Sequence, residues 1–174
     1  MSTGAVIVLS RPIGSGKTTV AQQLVALWPQ PLSYIEDDKF WPFLVKRKEG
    51  DRREDFRVLM RSMTAAALPF ARSGYDVLLD FSMPPAFLRG ARSILKEIPL
   101  DYVLLRPSLA VCAARSLSRK AGKIAKYDEG FYALFETAER HMIPDADAEA
   151  EPKAIALRIL AGLEAGQFRL DPPA

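Results

Sequence analysis

The chain has 174 residues, 49% of them hydrophobic, with a formal net charge of +3; that is the size of one domain, with enough apolar side chains to bury a core without cross-links. Its one cysteine, Cys112, excludes an intramolecular disulfide, reads as a buried thiol rather than a nucleophile among its apolar helical neighbours, and fits a reducing compartment. The excess of positive charge does not by itself imply a nucleic-acid partner, and MSTGAVIVLS has neither the basic flank nor the apolar length of a signal peptide. No stretch reaches the roughly eighteen apolar residues of a membrane span, so a cytoplasmic protein with no membrane partner is expected.

Residues 5–9 are short, β-branched and uncharged, which suits a buried strand, and Val20, Leu24, Leu27 and Trp28 then recur at helical spacing. Between them lies Gly14-Ser15-Gly16-Lys17-Thr18-Thr19. Glycines let successive N–H groups turn inward on an anion, and a helix starting near Lys17 adds its partial positive charge. Lys17 can reach the outer phosphates of a nucleotide, and the Thr18 hydroxyl is placed to join the shell of a magnesium ion on them. The pattern G-x-x-x-x-G-K-[ST] is incomplete, because Arg11 stands where its first glycine belongs. That glycine chiefly eases the exit from the strand, so nucleotide binding is expected to survive. Arg11 itself reads either as a surface residue or as an extra phosphate contact.

Pro29 and Pro31 interrupt the helix, and residues 32–35 form a second short strand ending in Glu36-Asp37-Asp38. Acids at a strand end sit at the sheet edge where α/β proteins place ligands. Phe40 and Trp41 follow, either as core or as pocket lining. Residues 52–73 carry Phe56, Leu59, Met60, Met63, Ala67 and Phe70 as a helical stripe, with Gly74 as its stop. Residues 75–81, YDVLLDF, are a third strand. Pro84-Pro85 opens a helix to about residue 97, residues 100–105 are a fourth strand, and a helix from Ser108 turns Arg115 and Arg119 to one face until Gly122. Residues 127–141 form a further helix through Phe131, Leu134, Phe135 and Ala138, residues 141–144 a short strand, and residues 153–165 a closing helix before a frayed tail from Asp171. His141 lacks companions with metal-ligand spacing and is structural.

Alternating strands and helices with no composition break give a single α/β domain of three layers, its parallel sheet covered on both faces. The glycine loop, IEDDKF after strand two, the VLLD strand and the RSLSRK helix together resemble the small P-loop kinases, the superfamily of gluconate, shikimate and adenylate kinases, chloramphenicol phosphotransferase and the zeta toxins. The resemblance spans nearly the whole chain and implies a P-loop NTPase fold with five parallel strands. It also implies ATP and magnesium as cofactors and a lid segment near residues 115–126.

Phosphoryl transfer is mostly positioning and charge neutralisation. In these kinases the turn after strand two resembles I-D-x-D-x-F, which places the acceptor-orienting carboxylate on Asp38, with Asp37 the next choice; the plainer reading is a solvated turn or a helix cap. The resemblance makes Asp80 a Walker B acid holding a magnesium-bound water, against a strand-end acid capping the next turn. It makes Lys17, Arg115 and Arg119 the cations around the transferred group, against a solvated helix face for the two arginines. Arg53, Arg57 and Arg61 fall at i, i+4, i+8 on the second long helix, where Arg57 and Arg61 would bind an anionic acceptor unless Glu54 and Asp55 pair with them. The expected function is ATP-dependent phosphorylation of a small-molecule hydroxyl. The alternatives are a toxin-like or nucleic-acid-end kinase, favoured only by basic clusters at 46–61 and 115–126, and a non-catalytic nucleotide-binding switch, kept open by Arg11. Acceptor identity, ATP against GTP and oligomeric state are not legible.

Overall fold

In the computed structural model, β1 (Val6–Ser10) is buried at every residue. A strand with no solvated face needs partners on both edges and helices on both faces, and it has them. The structure describes residues 3–12, 17–46, 52–106, 108, 110, 129–135, 141–143 and 151–171. β1 pairs in parallel with β3 (Asp76–Asp80), from Val6 opposite Val77 to Leu9 opposite Asp80. On its other edge it pairs with β4 (Leu100–Leu105), from Val6 opposite Leu100 to Ser10 opposite Leu104. β2 (Leu32–Glu36) lies outside β3 and β5 (Met142–Ile143) outside β4, so the five-stranded order is β2-β3-β1-β4-β5, parallel throughout.

Side chains alternate across a strand, and the alternation sorts the core into two layers. Val6, Val8, Val77, Leu79, Leu100, Tyr102 and Leu104 face α3 (Arg52–Arg72) and α4 (Leu88–Leu95), meeting Met60, Met63, Ala67, Ala91 and Leu95. Ile7, Leu9, Leu78, Val103 and Leu105 face α1 (Lys17–Leu27) and α6 (Pro152–Glu164), meeting Val20, Ala21, Leu24, Ala156 and Ile159. The α/β architecture expected from the strand-helix alternation is therefore present. No helix among the described residues is long and apolar enough to cross a membrane.

Several local expectations shift. The stripe on α3 ends on Ala71, fully buried, rather than Phe70, which is 44% exposed; the Ala71 carbonyl accepts the Gly4 N–H, so only a small side chain fits where the two segments meet. Gly74 does stop the chain's helical run, at φ 87°. After Pro84 the chain makes a 3-10 turn, Pro85–Phe87, before α4 begins at Leu88. Residues 127–141 contain a described helix, α5, only over Glu129–Ala133; Phe135 is buried but Leu134 is 52% exposed because the helical phase is lost there. The helix expected from Ser108, with Cys112 and the lid at 115–126, lies outside the described residues.

Of the tail expected to fray from Asp171, residues 172–174 lie outside the described residues, while the chain just before it closes the sheet. β5 reaches only the C-terminal half of β4, and the other half is met antiparallel by the chain after α6, with Arg169 opposite Asp101. Arg169 Nε donates to the buried Asp101 carboxylate at 2.9 Å, and Arg92 Nη2 donates to the carbonyls of Leu170 and Asp171 at 2.6 and 3.1 Å. Phe168, 1% exposed, sits so close over Gly162 that a Cβ there would lie 2.4 Å from its ring. Phe168→Ala is expected to lower unfolding free energy by about 3–5 kcal/mol through the cavity it leaves. Phe43→Ala, at a side chain 72% exposed, should change it by no more than about 0.5 kcal/mol, both read by urea denaturation.

Candidate functional site

Because all strands run the same way, their C-terminal ends share one edge. β1 delivers Ser10 to that edge, and Arg11 follows it with only 6% exposure, so Arg11 is buried rather than a surface residue. Loop residues Gly14, Ser15 and Gly16 lie outside the described residues, as do the side chains of Lys17 and Thr18. Lys17 and Thr18 are nevertheless the first residues of α1, which packs on the sheet beside β1 and β3, and Thr19 is exposed. The strand, the glycine loop and the helix start thus follow one another as the spacing requires.

Asp80 ends β3 directly opposite Leu9 of β1 and is completely buried. Strand alternation puts it with Leu78 on the face that α1 covers. A buried carboxylate is costly unless hydrogen-bonded. Tyr34 Oη, in β2, donates to Asp80 Oδ2 at 2.9 Å. Burial foremost, and then the charge of Asp80, hold the Tyr34 hydroxyl far above the usual tyrosine range, with smaller contributions from Glu36 and Asp37.

Glu36 lies opposite Asp80 at the end of β2, and the chain turns at once into the four-residue helix α2 (Asp37–Phe40). Glu36 occupies the N-cap position with no side-chain cap bond; its carboxylate pairs instead with Lys39 Nζ at 3.5 Å. Asp37 is half-buried and Asp38 exposed. Phe40 packs on the core and meets Phe43 edge-on at 5.3 Å between ring centroids. Phe56 of α3 stacks between Phe81 and Phe87, tying that helix to the segment that leaves Asp80. That segment is also held from below, where Ser10 Oγ and Tyr102 Oη both donate to the Met83 carbonyl at 2.6 and 2.8 Å.

Arg53, Arg57 and Arg61 all lie on α3 and are exposed. Arg57 Nη1 meets Glu54 Oε2 at 3.3 Å in an exposed pair, an arrangement that contributes little and is easily exchanged for another anion. Arg115 and Arg119 lie outside the described residues, with Lys120, Lys123 and Lys126. His141 is buried with its ring edge-on to Tyr102, in keeping with a structural role. Tyr34 is the member of this edge that sequence patterns do not single out; its only signal is a position two residues before Glu36, hence on the same strand face.

Among the described residues no group of three or more His, Cys, Asp or Glu could hold a metal ion by itself. The donor described at this edge is the buried carboxylate of Asp80. A carboxylate is a hard oxygen ligand, which suits a magnesium ion carried largely by phosphates and water.

This topology, with the loop strand between β3 and β4, is that of the P-loop kinases, and the chain has their fold. The tunicamycin resistance protein of Deinococcus radiodurans superposes with a TM-score of 0.71 at 18% identity, over 97% of this chain and 99% of the other. The APS kinase of Mycobacterium tuberculosis, in complex with AMPPNP and APS, gives 0.69 at 19% identity over 94% and 99%. A sugar kinase from Janibacter gives 0.65 at 22% over 92% and 95%. No protein-family model and no curated protein matches the sequence, so the similarity is one of structure.

Burial also pushes the Tyr102 hydroxyl up, against a smaller opposing effect of the Ser10 hydrogen bond. Both phenols therefore hold their protons more tightly folded than unfolded, where the ordinary value is about 10. The stabilisation they contribute is complete below pH ~10 and is lost as pH rises above it. Unfolding free energy by urea is expected to fall between about pH 9 and about pH 11, and to fall less steeply in Tyr34→Phe and in Tyr102→Phe.

Proposed function

We propose that the chain is an ATP-dependent kinase that transfers the γ-phosphate to a hydroxyl of a small anionic molecule. The observation that carries this reading is the strand register. Leu9, Asp80 and Glu36 lie side by side on three adjacent strands, which brings the strand that precedes the glycine loop, the buried acid and the start of the acidic turn to one edge of the sheet.

In this reading the backbone of Gly14, Ser15 and Gly16, with Lys17, Thr18 and Thr19, holds the phosphates of ATP. Thr18, and Asp80 through a water, would hold a magnesium ion, which would supply neutralisation of the charge on those phosphates. Asp38 orients the acceptor hydroxyl in line and takes its proton. The bond from the acceptor oxygen to the γ-phosphorus forms as the bridge to the β-phosphate breaks, leaving ADP. Lys17, Arg115 and Arg119 stabilise the charge on the group in transit. Exposed Arg57 and Arg61 on α3, with Asp37 beside Asp38, form the acceptor side, and the weak Glu54 pair leaves Arg57 exchangeable to an anionic substrate. The small-molecule kinases among the structural neighbours support an acceptor of this size.

A screen of hydroxyl metabolites for ATP consumption above background hydrolysis tests the reading. Asp38→Asn is expected to lower transfer by about a hundredfold or more while nucleotide affinity stays close to wild type; Lys17→Ala should impair both. Full transfer activity in Asp38→Asn, with loss in Asp37→Asn, would move the base to Asp37. A wild-type chain that binds no nucleotide would end the proposal. Acceptor affinity that fell steeply with salt would point to a nucleic-acid end instead.

A further inference from the structure

We infer that Tyr34 is a positioning residue for Asp80, fixing the carboxylate in the orientation that metal-bound nucleotide requires; this rests on the proposed role of Asp80 at the magnesium ion. The geometry is specific. Tyr34 sits opposite Leu78, two residues below the Glu36–Asp80 pair. Two residues of strand rise about 6.6 Å, so the phenol must lie along the strand towards the C-terminal edge to bring its oxygen within 2.9 Å of Asp80 Oδ2. Its ring is held in that direction by packing against the core on the α1 face.

The chemistry of the donor is equally telling. A buried carboxylate needs a hydrogen bond, and an arginine or lysine would supply one while cancelling the negative charge. A phenol fixes the plane of the carboxylate and leaves its charge in place for a cation. A phenolic O–H donates a hydrogen bond, which an ionised carboxylate can only accept. Orienting partners of this kind behind a metal-site ligand typically tune metal affinity by about tenfold or more.

The test is a magnesium titration of the binding of a fluorescent ATP analogue to wild type, Tyr34→Phe, Asp80→Asn and the double variant, with metal-free affinity measured alongside and thermal denaturation confirming that each is folded. Tyr34→Phe keeps the ring and removes only the hydroxyl. It is expected to raise the magnesium concentration at half-saturation about tenfold and to leave metal-free affinity within about twofold. In the Asp80→Asn background it should add nothing, since its effect runs through Asp80. A weakened Asp80→Asn beside an unchanged Tyr34→Phe would overturn the inference and leave the proposed function standing. So would a Tyr34→Phe shift that persisted in full without the Asp80 carboxylate. If Asp80→Asn keeps the wild-type magnesium dependence, Asp80 is not at the metal, and the positioning role falls with it.

Discussion

The whole arrangement depends on β1 being paired on both edges and covered on both faces. Five consecutive residues, Val6 to Ser10, have no solvent-facing side, so each backbone group needs a strand partner and each side chain a helix partner. β3 and β4 supply the first, and α1 with α6 and α3 with α4 supply the second. Once that strand is central, its C-terminal end opens at the middle of the sheet edge rather than at a corner. A glycine loop leaving from there is flanked by strand ends on both sides, which is the setting in which α/β sheets bind ligands.

Burial at that edge then separates the acids by exposure and partner. Asp80 is fully enclosed and tied to Tyr34, whereas Asp38, one turn beyond the end of the neighbouring strand, is exposed. Glu36, though aligned with Asp80, is engaged with Lys39. The difference arises from backbone direction alone, since strand alternation turns Asp80 under α1 while the chain after Glu36 leaves the sheet as a short helix.

Two devices hold this edge and a third closes the other end of the sheet, and all are tertiary. The Met83 carbonyl accepts two hydroxyl hydrogen bonds, from Ser10 and Tyr102, locking the segment after Asp80 onto β1 and β4. Phe56 wedges between Phe81 and Phe87 and ties α3 to the same segment. At the opposite end of β4, the Asp101–Arg169 pair and the Arg92 contacts close the half-strand that β5 does not reach. Each links residues tens of positions apart, so none leaves a local pattern.

What the amino-acid sequence by itself determined is the set of elements and their polarity. Residues 5–9 carry an uninterrupted apolar run, residues 32–35 and 100–105 runs broken once each, by Ser33 and Asp101, and α1, α3 and α6 carry apolar side chains at helical spacing, because burial against a sheet imposes those periods directly. The glycine loop and the acidic turn are legible for the same reason, as contiguous residues performing one local task. Strand order, the burial of Arg11, the exposure of Phe70 and Leu134, the antiparallel closure at Arg169 and the Tyr34–Asp80 bond were decided only by the tertiary structure. They depend on which segments, far apart in the chain, come to lie side by side, and a one-dimensional pattern records the face a residue prefers but not the neighbour it will meet there.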